Sequence, residues 1–238
     1  MGSGRGPLVG PVVALTVVSG MVDAVSFLRL GQVFTANMTG NVVVLGFAAG
    51  GTPGFSATGS LVSLLAFLTG AVAGGRAGRV FGERHLLVAL GAETAAVGVA
   101  AGVAAWAEAG AGMEGGARYA VVAVLAAAMG LQGATVRLLA LPDVTGSVLT
   151  RILTGLASES SLGGGVNPLA ARRAAAVLCM FLGALTGALL VRHAGVPLTL
   201  TAVAVFLVAV ALAHTAGHGH HRRQEPGGGR AGDGGHKG

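Results

Sequence analysis

The chain has 238 residues, 53% of them hydrophobic and 10% charged, with a formal net charge of +6 and a mean hydropathy of +0.77. Soluble domains carry about 25% charged residues, so this composition excludes a water-facing globule and points to a bilayer. One cysteine, Cys179 in an apolar run, excludes a disulfide framework and a cysteine metal site.

Arg5 precedes a long apolar run that lacks an A-x-A-like cleavage site, so the N-terminus reads as an uncleaved first span. Six runs are long enough to cross about 30 Å of hydrocarbon, which takes roughly 20 helical residues. They are Leu8 to Leu30, Phe55 to Gly75, Leu86 to Trp106, Tyr119 to Leu141, Ala174 to Val191 and Ala194 to Ala213. Two further segments are shorter and more polar. Val33 to Gly50 carries Asn and Thr residues, and Val144 to Ser161 carries Ser147, Thr150, Arg151, Thr154 and Ser158.

If both short segments crossed, a chain starting inside would place Arg76, Arg79 and Arg84 outside, against the positive-inside rule. If each instead enters and leaves on one side, six spans remain. Arg5, the Arg76 to Arg84 loop, Arg172 with Arg173, and the tail with Arg222 and Arg223 then all face the cytoplasm, and only Arg118 and Arg192 dissent. The expectation is an all-α, multi-pass membrane protein of about six transmembrane helices plus two short polar, re-entrant helices, with both termini cytoplasmic. Seven or eight spans is the alternative. Arginines gathered in loops and tail are explained by topology, so nucleic acid is not an expected partner.

An internal repeat fits this division. Gly20 to Gly40 runs from an apolar helix through polar positions to a Thr-containing element, and Gly130 to Thr150 does the same at nearly the same spacing. Repeat one covers about 8–106 and repeat two about 118–213, and on six spans the two have inverted topology, a recurrent transporter design. Residues 215–238 read as a disordered basic tail rich in Gly and His. His214, His218, His220 and His221 form a short His-rich tract of the kind that can bind a metal, but a solvated extension touching anionic lipid is the favoured reading.

The polar residues inside the apolar sequence are the functional candidates. Asp23 lies within the first span, where an ionisable group is costly and marks a site by default. Ser19 and Ser26 share its helix face, and Arg137 and Arg151 are its expected counter-charges. Asn37 and Asn41 are spaced i, i+4, with Thr39 and Gly40 between them. Ser147, Thr150 or Arg151, Thr154 and Ser158 follow helical spacing in the second short segment. Glu93 reads as lying near the cytoplasmic end of its span, because Arg84 and His85 come just before. Gly70, Gly74, Gly78 and Gly82, and Gly183 with Gly187, recur every fourth residue, the small-xxx-small spacing that lets membrane helices approach closely.

The runs GMVDAVSFL, VFTANMTGNVVVLG, MGLQGA and PDVTGSVLTRILTGLA resemble the YoaK-like family of bacterial integral membrane proteins of unknown function. The resemblance covers the chain up to about His214 and includes Gly20, Asp23, Phe34, Thr39, Gly40, Asn41, Gly130, Gln132, Asp143, Thr150 and Thr154. Thr145-Gly146-Ser147 departs from the expected Thr-rich pair. The resemblance implies a bacterial plasma-membrane protein of about six spans with no established activity.

No nucleophile with a base, HExxH, phosphate-cradling loop or paired carboxylates appear, so neither an enzyme nor a cofactor is expected. Two readings remain. One is a transporter or channel for a small polar solute or ion, lined by Asp23, Asn37, Thr39, Asn41, Gln132, Thr150, Arg151 and Thr154. The other is a non-transporting scaffold or accessory protein in which those groups only bond helices together. Membrane lipid is the expected surrounding partner in both, and a homo-oligomer is compatible with either.

Overall fold

The computed structural model describes residues 6–139, 149–161, 164–166 and 169–223. Among them every regular element is helical: α1 Gly6–Arg29, α2 Met38–Ala49, α3 Ala57–Phe81, α4 His85–Trp106, α5 Gly115–Leu138, α6 Leu149–Ser158 and α7 Ala170–Arg223. Five of these are long and apolar enough to cross a membrane, and α2 is a shorter apolar helix.

The helix ends follow local chemistry. Ser56 caps α3 by accepting the amide of Gly59 at 3.0 Å. That helix continues to Phe81, past Gly75 where the apolar run stops, because Arg76 and Arg79 end the hydrophobicity without ending the helix. A 3-10 turn at Gly82–Arg84 leads into α4, and a π turn at Ala107–Ala111 closes it. The two C-terminal runs expected from the sequence form one 54-residue element broken at Gly195, whose φ of 78° and ψ of 178° are non-helical. Pro197 follows two residues later, where its missing N–H costs nothing at a helix start. Residues 170–194 and 196–223 are therefore two arms.

Packing is between small residues. α1 lies mainly against α7, and α3 against α5. A Cβ on Gly20 would reach the carbonyl of Met180 at 2.5 Å and the amide of Ala184 at 2.7 Å, while one on Gly130 would collide with the carbonyl of Phe67 and reach the amide of Ala71 at 2.9 Å. Gly183 and Gly187 likewise sit on Val17 and Met21, and Gly70 and Gly74 on Ala127 and Leu131.

These contacts correspond residue by residue. Gly130, Ala127 and Leu131 each follow Gly20, Val17 and Met21 by 110 positions. Met180, Gly183, Ala184 and Gly187 each follow Phe67, Gly70, Ala71 and Gly74 by 113. Gly82, with φ 49°, and Gly195, with φ 78°, also stand 113 apart at the ends of α3 and of the first arm of α7. Beyond them, buried Leu86, Ala89, Leu90, Glu93 and Val97 match buried Val196, Thr199, Leu200, Val203 and Leu207 at a step of 110.

Outward faces are apolar. Leu61, Leu65, Leu68 and Val72 of α3 are exposed, as are Leu178, Phe181, Leu185 and Leu189 of α7, as suits contact with lipid. Of the spans, α1 is the most enclosed, and it carries the largest set of buried polar side chains: Thr16, Ser19, Asp23 and Ser26.

Candidate functional site

After α1 the chain reverses through Gly31 and Gln32, both at positive φ, and residues 33–37 run without helical hydrogen bonding to α2. Backbone of this kind is tolerated at membrane depth only when its polar groups are satisfied by protein or water. Two buried side chains do this. Asp23, 5% exposed, accepts the amides of Thr35 at 2.8 Å and Ala36 at 2.7 Å on Oδ1, with the Thr35 hydroxyl at 3.4 Å. Asn41 accepts the amide of Phe34 at 2.9 Å and donates to its carbonyl at 2.6 Å.

The arrangement is braced from its neighbours. Ser63 of α3 donates to the Phe34 carbonyl at 2.6 Å and receives Asn41 Nδ2 at 3.1 Å. Ser26 donates to the Asp23 carbonyl at 3.2 Å and stands 3.4 Å from the Thr35 hydroxyl. The Phe34 ring stacks on Phe27 at 4.8 Å and occupies the space over Gly40 that a side chain there would need.

One turn before Asp23 lies a second polar contact. Gln132 of α5 donates from Nε2 to the Ser19 hydroxyl at 2.8 Å and the Leu15 carbonyl at 3.2 Å, joining α5 to α1. Asp23 and Ser19, the latter bonded to Gln132, thus form one polar layer over adjacent turns, about 6 Å along α1, the most enclosed span. Asp23 Oδ2 and Gln132 Oε1 are both buried and meet no donor among the described residues. Glu93 of α4 is 1% exposed, and its Oε1 also has no donor.

The other sequence candidates lie apart from this layer. Asn37 is the exposed N-cap of α2 and makes no capping hydrogen bond with its side chain, and Thr39 is exposed on the first turn. Thr150, Arg151 and Thr154 are exposed on α6. The expected pairing of Asp23 with Arg137 or Arg151 is replaced by amide donors: both arginines are exposed, and the loop supplies directed N–H groups that stabilise a carboxylate without a second buried charge. Asp143 and the Thr145-Gly146-Ser147 stretch lie outside the described residues, as does the tail beyond Arg223.

On the opposite short helix a separate ion pair forms. Arg173 reaches Glu159 at 2.7 and 3.2 Å and lies over Gly155, tying α6 to α7. The Arg173 guanidinium holds the Glu159 carboxyl below its usual range. Among the described residues no three His, Cys, Asp or Glu gather closely enough to hold a metal ion.

Sequence reasoning missed Ser63 and undervalued Glu93. Ser63 carried no signal beyond a polar residue in a leucine-rich run. Glu93 carried the signal that singled out Asp23, an acid among apolar residues, and was discounted because Arg84 and His85 precede it. Eight residues of helix, about 12 Å, separate it from His85.

The chain matches the family described as "Protein of unknown function (DUF1275)" over residues 12–213. It is 45% identical over 58 residues, 24% of this chain, to the UPF0700 transmembrane protein YoaK of Bacillus subtilis (strain 168). That match spans 26% of the relative's length. No solved structure gives a match.

Proposed function

The chain belongs to the DUF1275 family of membrane proteins, and on that premise we propose that it is a transporter or channel for a small polar solute or ion. The observation that carries this reading is the layer formed by Asp23, Ser19 and Gln132. Two of its acceptor oxygens, Asp23 Oδ2 and Gln132 Oε1, are buried with no donor among the described residues. An unpaired acceptor in hydrocarbon costs several kcal/mol by general estimates, and helix bonding alone leaves no reason to retain two. A proton, a cation or a solute bearing N–H or O–H groups satisfies both.

In this reading Asp23 and Gln132 bind the solute and Asn41 holds the α2 entry. Asn37 and Thr39, and Thr150, Arg151 and Thr154, lie along the approaches at α2 and α6. The break at Gly195 supports reading α7 as two crossings, which gives six in all, and in this reading α2 and α6 are re-entrant and both termini face the cytoplasm of a bacterial plasma membrane. The constant steps of 110 and 113 residues between matching contacts support two units of inverted topology, each lending its first helix to the second crossing of the other. Such units rock about a central site in many secondary transporters. Catalysis and a resident cofactor form no part of this function.

A scaffold role is favoured by one fact: Asp23 Oδ1 and both polar atoms of Asn41 are spent on the backbone of residues 34–36. The two readings part in proteoliposomes. Solute and ion flux under an imposed proton gradient is compared for wild type and Asp23→Asn at equal folded protein. Flux lost in the variant, with its melting temperature within a few degrees of wild type, supports transport. Silence in both, with a lowered melting temperature in the variant, replaces transport with the scaffold role.

A further inference from the structure

We propose that Glu93 is a second acid centre, separate from Asp23, and that its ligand is a proton: a carboxylic acid kept neutral while α4 is packed as described, and ionised when that packing opens. This deepens the transport reading and rests on it for its purpose, since it names the proton as the coupling ion.

Three observations converge. Glu93 lies about 12 Å into α4, within a span that runs His85–Gly110. It is 1% exposed, and its Oε1 meets no donor. A lone carboxylate in such a place is strongly disfavoured, and neutralisation is the usual escape.

The acid is also not required for packing. The matching position on the second arm of α7 is Val203, fully buried in the same pattern of neighbours. The fold therefore accepts an apolar side chain there, and a glutamate is an added chemical property. Asp23 stands 110 positions before Gly133, so the two buried acids among the described residues both lie in the first half of the chain.

The surroundings select a proton over a larger cation. From α5 the buried polar groups are Gln132 and Thr135, and from α7 Thr199, which is bonded to the Gly195 carbonyl at 2.7 Å. Of the arginines on the packed helices, Arg76 and Arg79 of α3 and Arg137 of α5 are exposed, Arg173 pairs with Glu159, and Arg172, at the start of α7, is half-buried with its Nε and Nη2 meeting no acceptor among the described residues. Arg118 and Tyr119 sit at the far end of α5, and Arg192 and His193 are exposed beside the α7 break. On α4 itself His85 is buried, and neither of its ring nitrogens has a partner. A hard cation needs several oxygen ligands at once, whereas a proton needs one. On opening, the O–H bond of the acid breaks, the proton passes to water or to a basic solute, and the electron pair stays on the carboxylate.

Infrared difference spectroscopy on the full-length protein in lipid vesicles tests this without any flux. The wild type is expected to show the C=O absorption of a protonated, water-excluded carboxyl at neutral pH. That band is expected to vanish in Glu93→Gln and in Glu93→Val, the second chosen to match Val203, and to persist in Asp23→Asn. Absence of the band from the wild type, or its survival in both Glu93 variants, overturns the proposal whatever the flux shows. Conversely, a chain without Asp23-dependent flux that still shows a Glu93 band loses the transport reading and keeps the proton site.

Discussion

Asp23 and Ala36 are joined by a 2.7 Å hydrogen bond from the loop amide to the carboxyl oxygen, so an acid on the first span is the anchor of the chain that turns back toward α2. Replacing it separates charge from anchoring. Asp23→Asn keeps an oxygen for the amides of Thr35 and Ala36, and its melting temperature is expected to stay near wild type. Asp23→Ala orphans both amides, at about 1–3 kcal/mol each, and thermal unfolding in detergent is expected to show a drop of several degrees.

Asn41 offers a sharper contrast with Ser63. Asn41→Ala strands the amide of Phe34 and leaves its carbonyl only the Ser63 bond, whereas Ser63→Ala leaves both the amide and the carbonyl bonded to Asn41. The first is expected to cost about 1–3 kcal/mol and the second about 1 kcal/mol. Proteolysis and hydrogen exchange confined to residues 31–37 check this, and equal effects from the two changes would contradict the bonding described.

At the helix crossings, Gly70→Ala and Gly183→Ala both press a methyl into the backbone of the facing helix, on Ala127 and Val17. Each is expected to lower stability by about 1–3 kcal/mol or more and to lower the yield of folded protein. Gly98→Ala meets nothing within 4 Å and is expected to be neutral or stabilising by about 0.5–1 kcal/mol. If all three behave alike, the close crossings are wrong.

The Arg173 pair gives α6 a pH dependence. Because Arg173 lowers the Glu159 carboxyl below its ordinary value of 4.5, the pair contributes stability above that value and loses it as pH falls through the lowered one. Glu159 is 49% exposed, so water screens the pair and the effect is small. The protection of α6 amides relative to their intrinsic exchange rate at each pH is expected to fall on acidification below about 4.5 in the wild type, and to be low and flat with pH in Glu159→Gln.

The orientation has its own test. In a Cys179→Ala background, single cysteines at Glu114 and His193 are expected to react with an impermeant maleimide from one side of the membrane, and those at Arg79 and Thr215 from the other. Labelling of His193 and Thr215 from the same side would make α7 something other than two crossings.

The spans were legible because hydrocarbon imposes a length on an apolar run, and α1, α4 and α5 keep to within a few residues of what hydropathy gives. The C-terminal end of α3 was not, since Arg79 ends hydropathy but belongs to a continuous helix. Asp23, Asn41 and Gln132 were visible as polar residues in the wrong solvent. Their partners were not: the amides of Thr35 and Ala36 belong to backbone, which leaves no mark in side-chain composition. The exposure of Asn37 and Thr39 was hidden for a related reason. An i, i+4 spacing assumes both residues are on the helix, and Asn37 is the cap before it.

The exchange of partners between α1 and α7 also has a consequence in time. The residues that cover Gly20, Met180 and Ala184 leave the ribosome some 160 positions after it, on the order of ten seconds at ordinary synthesis rates. Through that interval Ser19 and Asp23 stand on a helix without its main neighbour. The insertion machinery or a holding factor must shelter the first span until the penultimate one arrives. Truncation before residue 170 should therefore give a chain that is degraded, even though every span it contains is intact.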